Sequence, residues 1–464
     1  MTVSKLLLLT VVALAAISCA TRQDPNSNST SNPSAPISSG AATPGPISEE
    51  TAVPVTLPVL NALFADEAFK AELKSKLQLS EEQIARLQQE AQEEVNRLRQ
   101  MNAELAPGGA AEARQQASQT IEAVVGPQKA AELFALVRDH WVRGDEEIEA
   151  GAKEAEVTML PGPNAIPPDT RIVVNIPAYR MDVFHNGSLV KSYKVGIGYP
   201  RFPLPVGLRK AQTIIFNPTW TPPDEPWVAR MKNVSAGTKV PAGSPLNPLG
   251  PIKIPIGMPS LIHGGKPLSK IGTFASHGCV GLTNSQVKDF AQKLAQAGDK
   301  DISEKTIASY LRNKTRTQVV KLDEPIPVEL RYETIVVEDG KLHIYRDVYD
   351  QNTNTEENLR TVLTKHGITL EDLSEDERAE ILEALNAMSA HPKKPTPAKL
   401  GTTKASPTAS PSDLYNERTE KTEPTPKKPI GKNQKEVVLE ADALAGKGYP
   451  APVELDSGTG KRKD

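Results

Sequence analysis

The chain has 464 residues, room for two or more domains, and its formal charge of −3 argues neither for nucleic acid nor for an acidic substrate. Only 4% of residues are aromatic while 40 are proline, which places much of the chain outside any packed core. Composition assigns no function.

Lys5 precedes the apolar stretch from Leu6 to Ile17, too short to span a bilayer as a mature helix and suited to a signal-peptide core. Ala16-Ile17-Ser18-Cys19 resembles a bacterial lipobox, with Ala16 where Leu is usual. Residues 1–18 are thus expected to be a signal peptide and Cys19 the site of lipidation. Ala20 rather than Asp follows, which resembles the pattern sent to the outer membrane in diderm bacteria. The expected localisation is export to the periplasm with a lipid anchor in the outer membrane. Residues 19–55, rich in Ser, Asn, Thr, Pro and Gly, bury too little apolar surface to offset their ordering entropy and read as a flexible linker.

Residues 56–150 read as an α-helical accessory region. Ser80 and Gln83 form a capping-box pattern, followed by Ile84, Leu87, Ala91, Val95, Leu98 and Met101 at helical spacing. Further helices are predicted within Ala111 to Val125, ended by Gly126-Pro127, and from Gln128 to Val142. The piece Leu77 to Gln83 loosely resembles periplasmic helical proteins of the Spy type. Pro161 to Pro168 marks a hinge, after which β-branched runs follow at Ile172 to Ile176, Met181 to Phe184, Leu189 to Val195 and Gln212 to Phe216. Asn186-Gly187 predicts a hairpin between two of them, and Asp339-Gly340 another within Val328 to Tyr349. One helix is predicted at Asn284 to Ala297. Short helices, Glu356 to Lys365 and Ser374 to Met388, occupy 355–390, and the Pro-, Lys- and Thr-rich residues 391–464 read as a disordered tail.

Of the two cysteines, Cys279 lies in Ser276-His277-Gly278-Cys279. A thiol is a nucleophile only as the thiolate, and a nearby imidazole with backbone N–H donors supplies one. His263-Gly264 lies 16 residues upstream (279 − 263), and these are two of only seven histidines. If Cys19 is lipidated, Cys279 has no intramolecular disulfide partner, and an unpaired internal cysteine in an exported protein calls for a reactive thiol. The histidines lack a cluster with Asp, Glu or a second Cys at ligand spacing, so no metal or cofactor is expected.

Ile262-His263-Gly264 followed by Ser276-His277-Gly278-Cys279-Val280 resembles the signature of the L,D-transpeptidase (YkuD-like) catalytic domain. Ordered matches extend the resemblance from about Arg171 to about Asp347, including Asn217-Pro218-Thr219-Trp220 and Asn247-Pro248-Leu249-Gly250. It implies a mainly β catalytic domain, an L,D-transpeptidase-like β-sandwich with short helices, over residues 169–349, beside the α-helical N-terminal region and disordered termini.

By this resemblance Cys279 is the nucleophile and His263 the general base. The Gly264 carbonyl orients the imidazole, and the Gly278 and Cys279 N–H groups form the oxyanion hole. Ser276, His277, Trp220 and Lys266 are candidate substrate contacts, with Trp227 a further cleft aromatic. The implied partners are peptidoglycan stem peptides and, through the anchor, a membrane. The implied reaction is thioester formation with a stem tetrapeptide, then transfer to an amine in a 3→3 cross-link. Resolution by water would make an L,D-carboxypeptidase. The alternative of another class is a lipid-anchored, stress-sensor or chaperone-like binding protein. One departure stands out. Family members commonly carry Arg or Asn two residues after the Cys, and this chain has Gly281. On sequence alone that is a lost contact, for which Lys266, Arg209 or Asn284 are candidate replacements and which Gly281→Arg or Gly281→Asn should restore.

Overall fold

A computed structural model describes residues 53–101, 109–143, 158–300, 302–389, 430–431 and 433–458. The expectations on the signal peptide, Cys19, nearly all of the linker and the first part of the tail lie outside these residues.

The N-terminal region is helical: α1 (Leu57–Leu63), α2 (Glu67–Ser75), α3 (Glu81–Met101), α4 (Gly109–Val125) and α5 (Pro127–Arg143). The Ser80 capping box forms as predicted, with Gln83 N–H donating to Ser80 Oγ and Ser80 N–H to Gln83 Oε1, both at 3.1 Å. The apolar stripe of α3 from Ile84 to Leu98 is buried. With Phe69, Leu133, Val137 and Trp141 close by in the same region, the helices enclose a core of their own.

The next elements are β1 (Arg171–Asn175), β2 (Arg180–His185), β3 (Ser188–Lys194), β4 (Ile197–Gly198), β5 (Gly207–Phe216), α6 (Pro226–Ala229), β6 (Ile252–Pro255), β7 (Leu261–His263), β8 (Phe274–Ser276) and β9 (Val280–Gly281). After them come α7 (Asn284–Ala297), α8 (Glu304–Arg312) and β10 (Gln318–Arg331). Eight strands form one curled sheet in the order β3-β2-β1-β10-β5-β6-β7-β9, while β4 and β8 pair separately. Asn186 and Gly187 both have positive φ (47° and 79°), the geometry a two-residue hairpin of right-handed twist demands. Thr283 caps α7 in a capping box, and Val287, Phe290, Ala291 and Leu294 bury the helix against Ile172, Val174, Ile254 and Ile262 of the sheet. This packing holds the strand ends that carry the site.

Two expectations are corrected further on. β11 (Ile335–Glu338) and β12 (Lys341–Tyr345) do not extend the catalytic sheet to residue 349; they pair with β13 (Glu436–Glu440) in a separate three-stranded sheet. That sheet packs with α9 (Glu356–Lys365) and α10 (Glu375–Met388) around Val337, Ile344, Leu363, Ile381, Leu385 and Leu439. Residues 433–458 are therefore structured rather than tail. Val453 and Asp456 even run along β3, with Ser192 N–H donating to Val453 O and Lys194 N–H to Asp456 O, both at 2.9 Å. Val437, Leu439, Leu444 and Tyr449 are apolar residues that an average over a polar segment conceals, and β13 finds its partner, β12, only across the chain. Buried ionic contacts join this module to the sheet, with Arg180 bonded to both Asp182 (2.8 Å) and Glu338.

The helical region packs on the catalytic domain through several contacts among the described residues. Trp141 Nε1–H donates to Met258 O at 2.7 Å, and its ring lies 3.6 Å from the guanidinium of the fully buried Arg209 on β5. Arg201 pairs with Glu112 at 3.1 Å, and α3 packs on α6.

Candidate active site

β7 and β9 run parallel, with Ile262 opposite Val280 and His263 opposite Gly281. Cys279 stands one residue before β9 and so beside Leu261, two residues before His263 on the same strand. Because side chains alternate along a strand, Leu261 and His263 share a face. The topology thus gathers the two residues that sequence places 16 apart (279 − 263).

His263 is buried, 3% exposed. Its Nδ1 lies 2.7 Å from Gly264 O. A carbonyl only accepts, so Nδ1 carries the proton and the lone pair is left on Nε2, the tautomer a base needs. Burial pushes the imidazole pKa down to about 3; the Lys266 charge adds to this, while the Gly264 and Leu249 carbonyls oppose it. The Cys279 thiol is half-buried and unpaired. Burial raises its pKa, against the Leu261 N–H and the charges of Lys266 and Lys253, which lower it. The resting pair is therefore a neutral thiol beside a neutral imidazole. No hydrogen bond joins them among the described residues.

Gly278 has φ +93°, a turn that L side chains rarely adopt, and a Cβ there would meet nothing nearer than Pro203 O at 4.0 Å. Conformation, not crowding, selects glycine here. Its N–H has no protein acceptor among the described residues, as an oxyanion donor requires. The Cys279 N–H differs: it donates to Ser276 Oγ at 3.0 Å, and Ser276 Oγ–H donates back to Cys279 O at 2.5 Å. Ser276, expected as a substrate contact, has its hydroxyl turned onto the backbone of Cys279 and is itself buried. The same bond engages one of the two expected oxyanion donors.

His277 points away from proton transfer. Its ring stacks on Trp227 (centroids 4.6 Å, 13°) and meets Tyr199 and Phe202 edge-on. Trp220 stacks behind Trp227 at 5.6 Å and is 7% exposed, so it backs the aromatic wall rather than lining a cleft. Trp227 is the half-buried face of that wall. Sequence reasoning passed over Tyr199, Phe202 and the Leu261 amide. The aromatics near Tyr199-Pro200 carried a faint signal, whereas a backbone N–H carries none.

The candidate replacements for the missing side chain at 281 separate clearly. Arg209 is at the helical interface. Asn284 Oδ1 accepts from Gly265 N–H at 2.8 Å and holds the loop after His263. Lys266 lies at the site: a Cβ built on Gly281 would stand 2.8 Å from Lys266 Cγ. Gly281 is not an empty place but an occupied one.

Residues 169–320 match the family model of the L,D-transpeptidase catalytic domain (YkuD). The probable L,D-transpeptidase YbiS of Escherichia coli K12 is 30% identical over 29% of this chain and 50% of its own. The chain spans about half the length of the curated relatives it matches. Among solved structures, the catalytic domain of the Enterococcus faecium L,D-transpeptidase aligns at 16% identity over 36% of this chain and 100% of that one, with a TM-score of 0.23. A Mycobacterium smegmatis L,D-transpeptidase aligns at 16% identity over 35% and 58%, with a TM-score of 0.22.

Proposed function

We propose that this chain is a cysteine L,D-transpeptidase acting on peptidoglycan stem peptides, a reading supported by the match of residues 169–320 to the L,D-transpeptidase catalytic-domain model. The observation that carries the reading is the placement of Cys279 beside the strand of a buried His263 whose Nδ1–H is fixed by Gly264 O. Because both groups rest neutral, the thiol proton moves to His263 Nε2 as Sγ attacks the carbonyl of the diamino acid in a tetrapeptide stem. The Gly278 N–H faces the developing oxyanion. Collapse breaks the amide bond, His263 returns its proton to the departing amine, and D-alanine leaves. The thioester is then attacked by the side-chain amine of a second stem, restoring the thiol and forming a 3→3 link. Cys19 would anchor the chain to the outer membrane through lipid, in reach of its substrate.

Incubation of the full chain with purified tetrapeptide muropeptides, followed by mass analysis, tests the reading. A 3→3 dimer that is absent with Cys279→Ala is the expected product. Tripeptide alone would make the enzyme a carboxypeptidase, and unchanged muropeptide would overturn the assignment to catalysis.

A further inference from the structure

The φ of Gly281 lies outside the region that favours glycine, and its backbone exchanges both hydrogen bonds with Gly196 at 2.8 Å. Any L residue fits that conformation; what excludes a side chain is space. The position a Cβ would take lies 2.8, 3.0 and 3.3 Å from Cγ, Cε and Cδ of Lys266. Lys266 is anchored at its own backbone by an N–H to Leu282 O bond of 3.1 Å, so its stem lies across the glycine. The ammonium it carries is the foremost charge acting on both His263 and Cys279. It makes no ion pair among the described residues. Lys253 adds to the field at His263 and Cys279, Lys270 to that at Lys266, and among the described residues no carboxylate is a leading influence on any of the three. A half-buried cation held against a nucleophile with no anionic partner is an incomplete ion pair.

We infer that Lys266, seated over Gly281, is a specificity-determining residue that binds a free carboxylate lying within a few bonds of the carbonyl that Cys279 attacks. This rests on the transpeptidase reading for the identity of the substrate. In a stem tetrapeptide, the carboxylate that fits is the C-terminal one of the departing D-alanine, three bonds beyond the scissile carbonyl carbon. The site then selects peptides ending at the residue it removes, and disfavours stems whose C-terminus is amidated or extended by a further residue. The glycine completes the arrangement, because a Cβ there would force the lysine stem to shift away from β9.

The test needs no turnover. Cys279 in the full chain is alkylated with iodoacetate and with iodoacetamide, and labelling is quantified on the peptide containing Cys279. The ratio of the two rates cancels changes in thiolate fraction and reads attraction of a carboxylate to the thiol. Lys266→Met keeps the stem and removes the charge; we expect it to lower the ratio about tenfold, and Lys266→Arg to hold it near wild type. Gly281→Ala, which keeps the lysine but crowds its stem, should lower it too, an effect that a lysine serving only to pack would not show. An unchanged ratio in Lys266→Met overturns the carboxylate site, and an unchanged ratio in Gly281→Ala overturns the seat. The same variants are then given a tetrapeptide muropeptide and its C-terminal amide. Wild type should favour the free acid about tenfold and Lys266→Met should favour neither. A ratio that behaves as expected with no peptide processed leaves the anion site standing and removes the transpeptidase reading; processing with a ratio indifferent to Lys266 does the reverse.

Discussion

The most direct consequence of the geometry is the pH profile of Cys279 in the resting protein. Cysteine enzymes that hold a thiolate–imidazolium pair alkylate at a nearly constant rate from mildly acid to neutral pH. Here burial pushes the imidazole down to about 3 and raises the thiol, which both favour the neutral pair over the ion pair. An ordinary cysteine near pKa 8.5 is about 3% ionised at pH 7, and a thiol raised above that range is ionised less, by tenfold for each further unit. Iodoacetamide labelling between pH 4 and 10, followed on the Cys279 peptide, should therefore give a single rise whose midpoint lies above the ordinary cysteine range, with no shoulder at acid pH. Lys266→Met removes a charge that favours the thiolate and should move the midpoint up. His263→Ala should add no acid plateau, because a neutral imidazole leaves nothing to lose. A flat rate from about pH 5 to 8 that collapses in His263→Ala would refute the neutral pair and with it general-base activation.

Cys279→Ala should abolish turnover with little change in melting temperature, and His263→Ala should cost at least about a hundredfold in rate, both read on muropeptides. The lowered His263 pKa also acts on stability. The unfolded chain takes up a proton near pH 6.5 and the folded one only near 3, so this contribution is complete above pH 6.5 and lost as pH falls through 3. Denaturant titrations across that window should show a slope of about 1.4 kcal/mol per pH unit that His263→Gln removes. Trp141→Ala should destabilise by about 3–5 kcal/mol in the same assay, since it empties a core site and strips the ring from the buried Arg209 guanidinium. A carbapenem should add its intact mass to the full chain at Cys279, because opening a β-lactam needs only nucleophile, base and oxyanion donor; failure to form the adduct would count against the site as a whole.

What was legible in the sequence was what short-range chemistry determines. Asn186-Gly187 and Asp339-Gly340 both turn with positive φ at each residue, Thr283 caps α7, and Ser80 with Gln83 caps α3, each from residues adjacent in the chain. That Cys279 and His263 lie at neighbouring strands was foreshadowed by two short motifs, each read from adjacent residues. Contacts made across the chain were not. β13 lies 91 residues beyond β12 (436 − 345), and its Val437 and Leu439 gain meaning only once β12 is beside them. Arg209 looked like a candidate for the site, and nothing local to it announces Trp141 as its partner. Ser276 was read as a substrate contact because a hydroxyl beside a nucleophile invites it, whereas the loop folds that hydroxyl back on Cys279.

Gly281 shows the same limit most sharply. As a letter it is a missing side chain, and the inference that adding Arg or Asn would improve the enzyme follows directly. In three dimensions the space is filled from Lys266, 15 residues earlier (281 − 266), so the same substitutions would drive a lysine stem off the nucleophile strand. Net charge misleads in a parallel way. A sum of −3 argues against an acidic substrate only if the charges are spread evenly, and they are not. The thiol and imidazole sit in a field led by Lys266, to which Lys253 adds, at a depth where screening is weak. The local field, not the sum, is what a substrate carboxylate would meet at Cys279, and the iodoacetate-to-iodoacetamide ratio in Lys266→Met reads it directly.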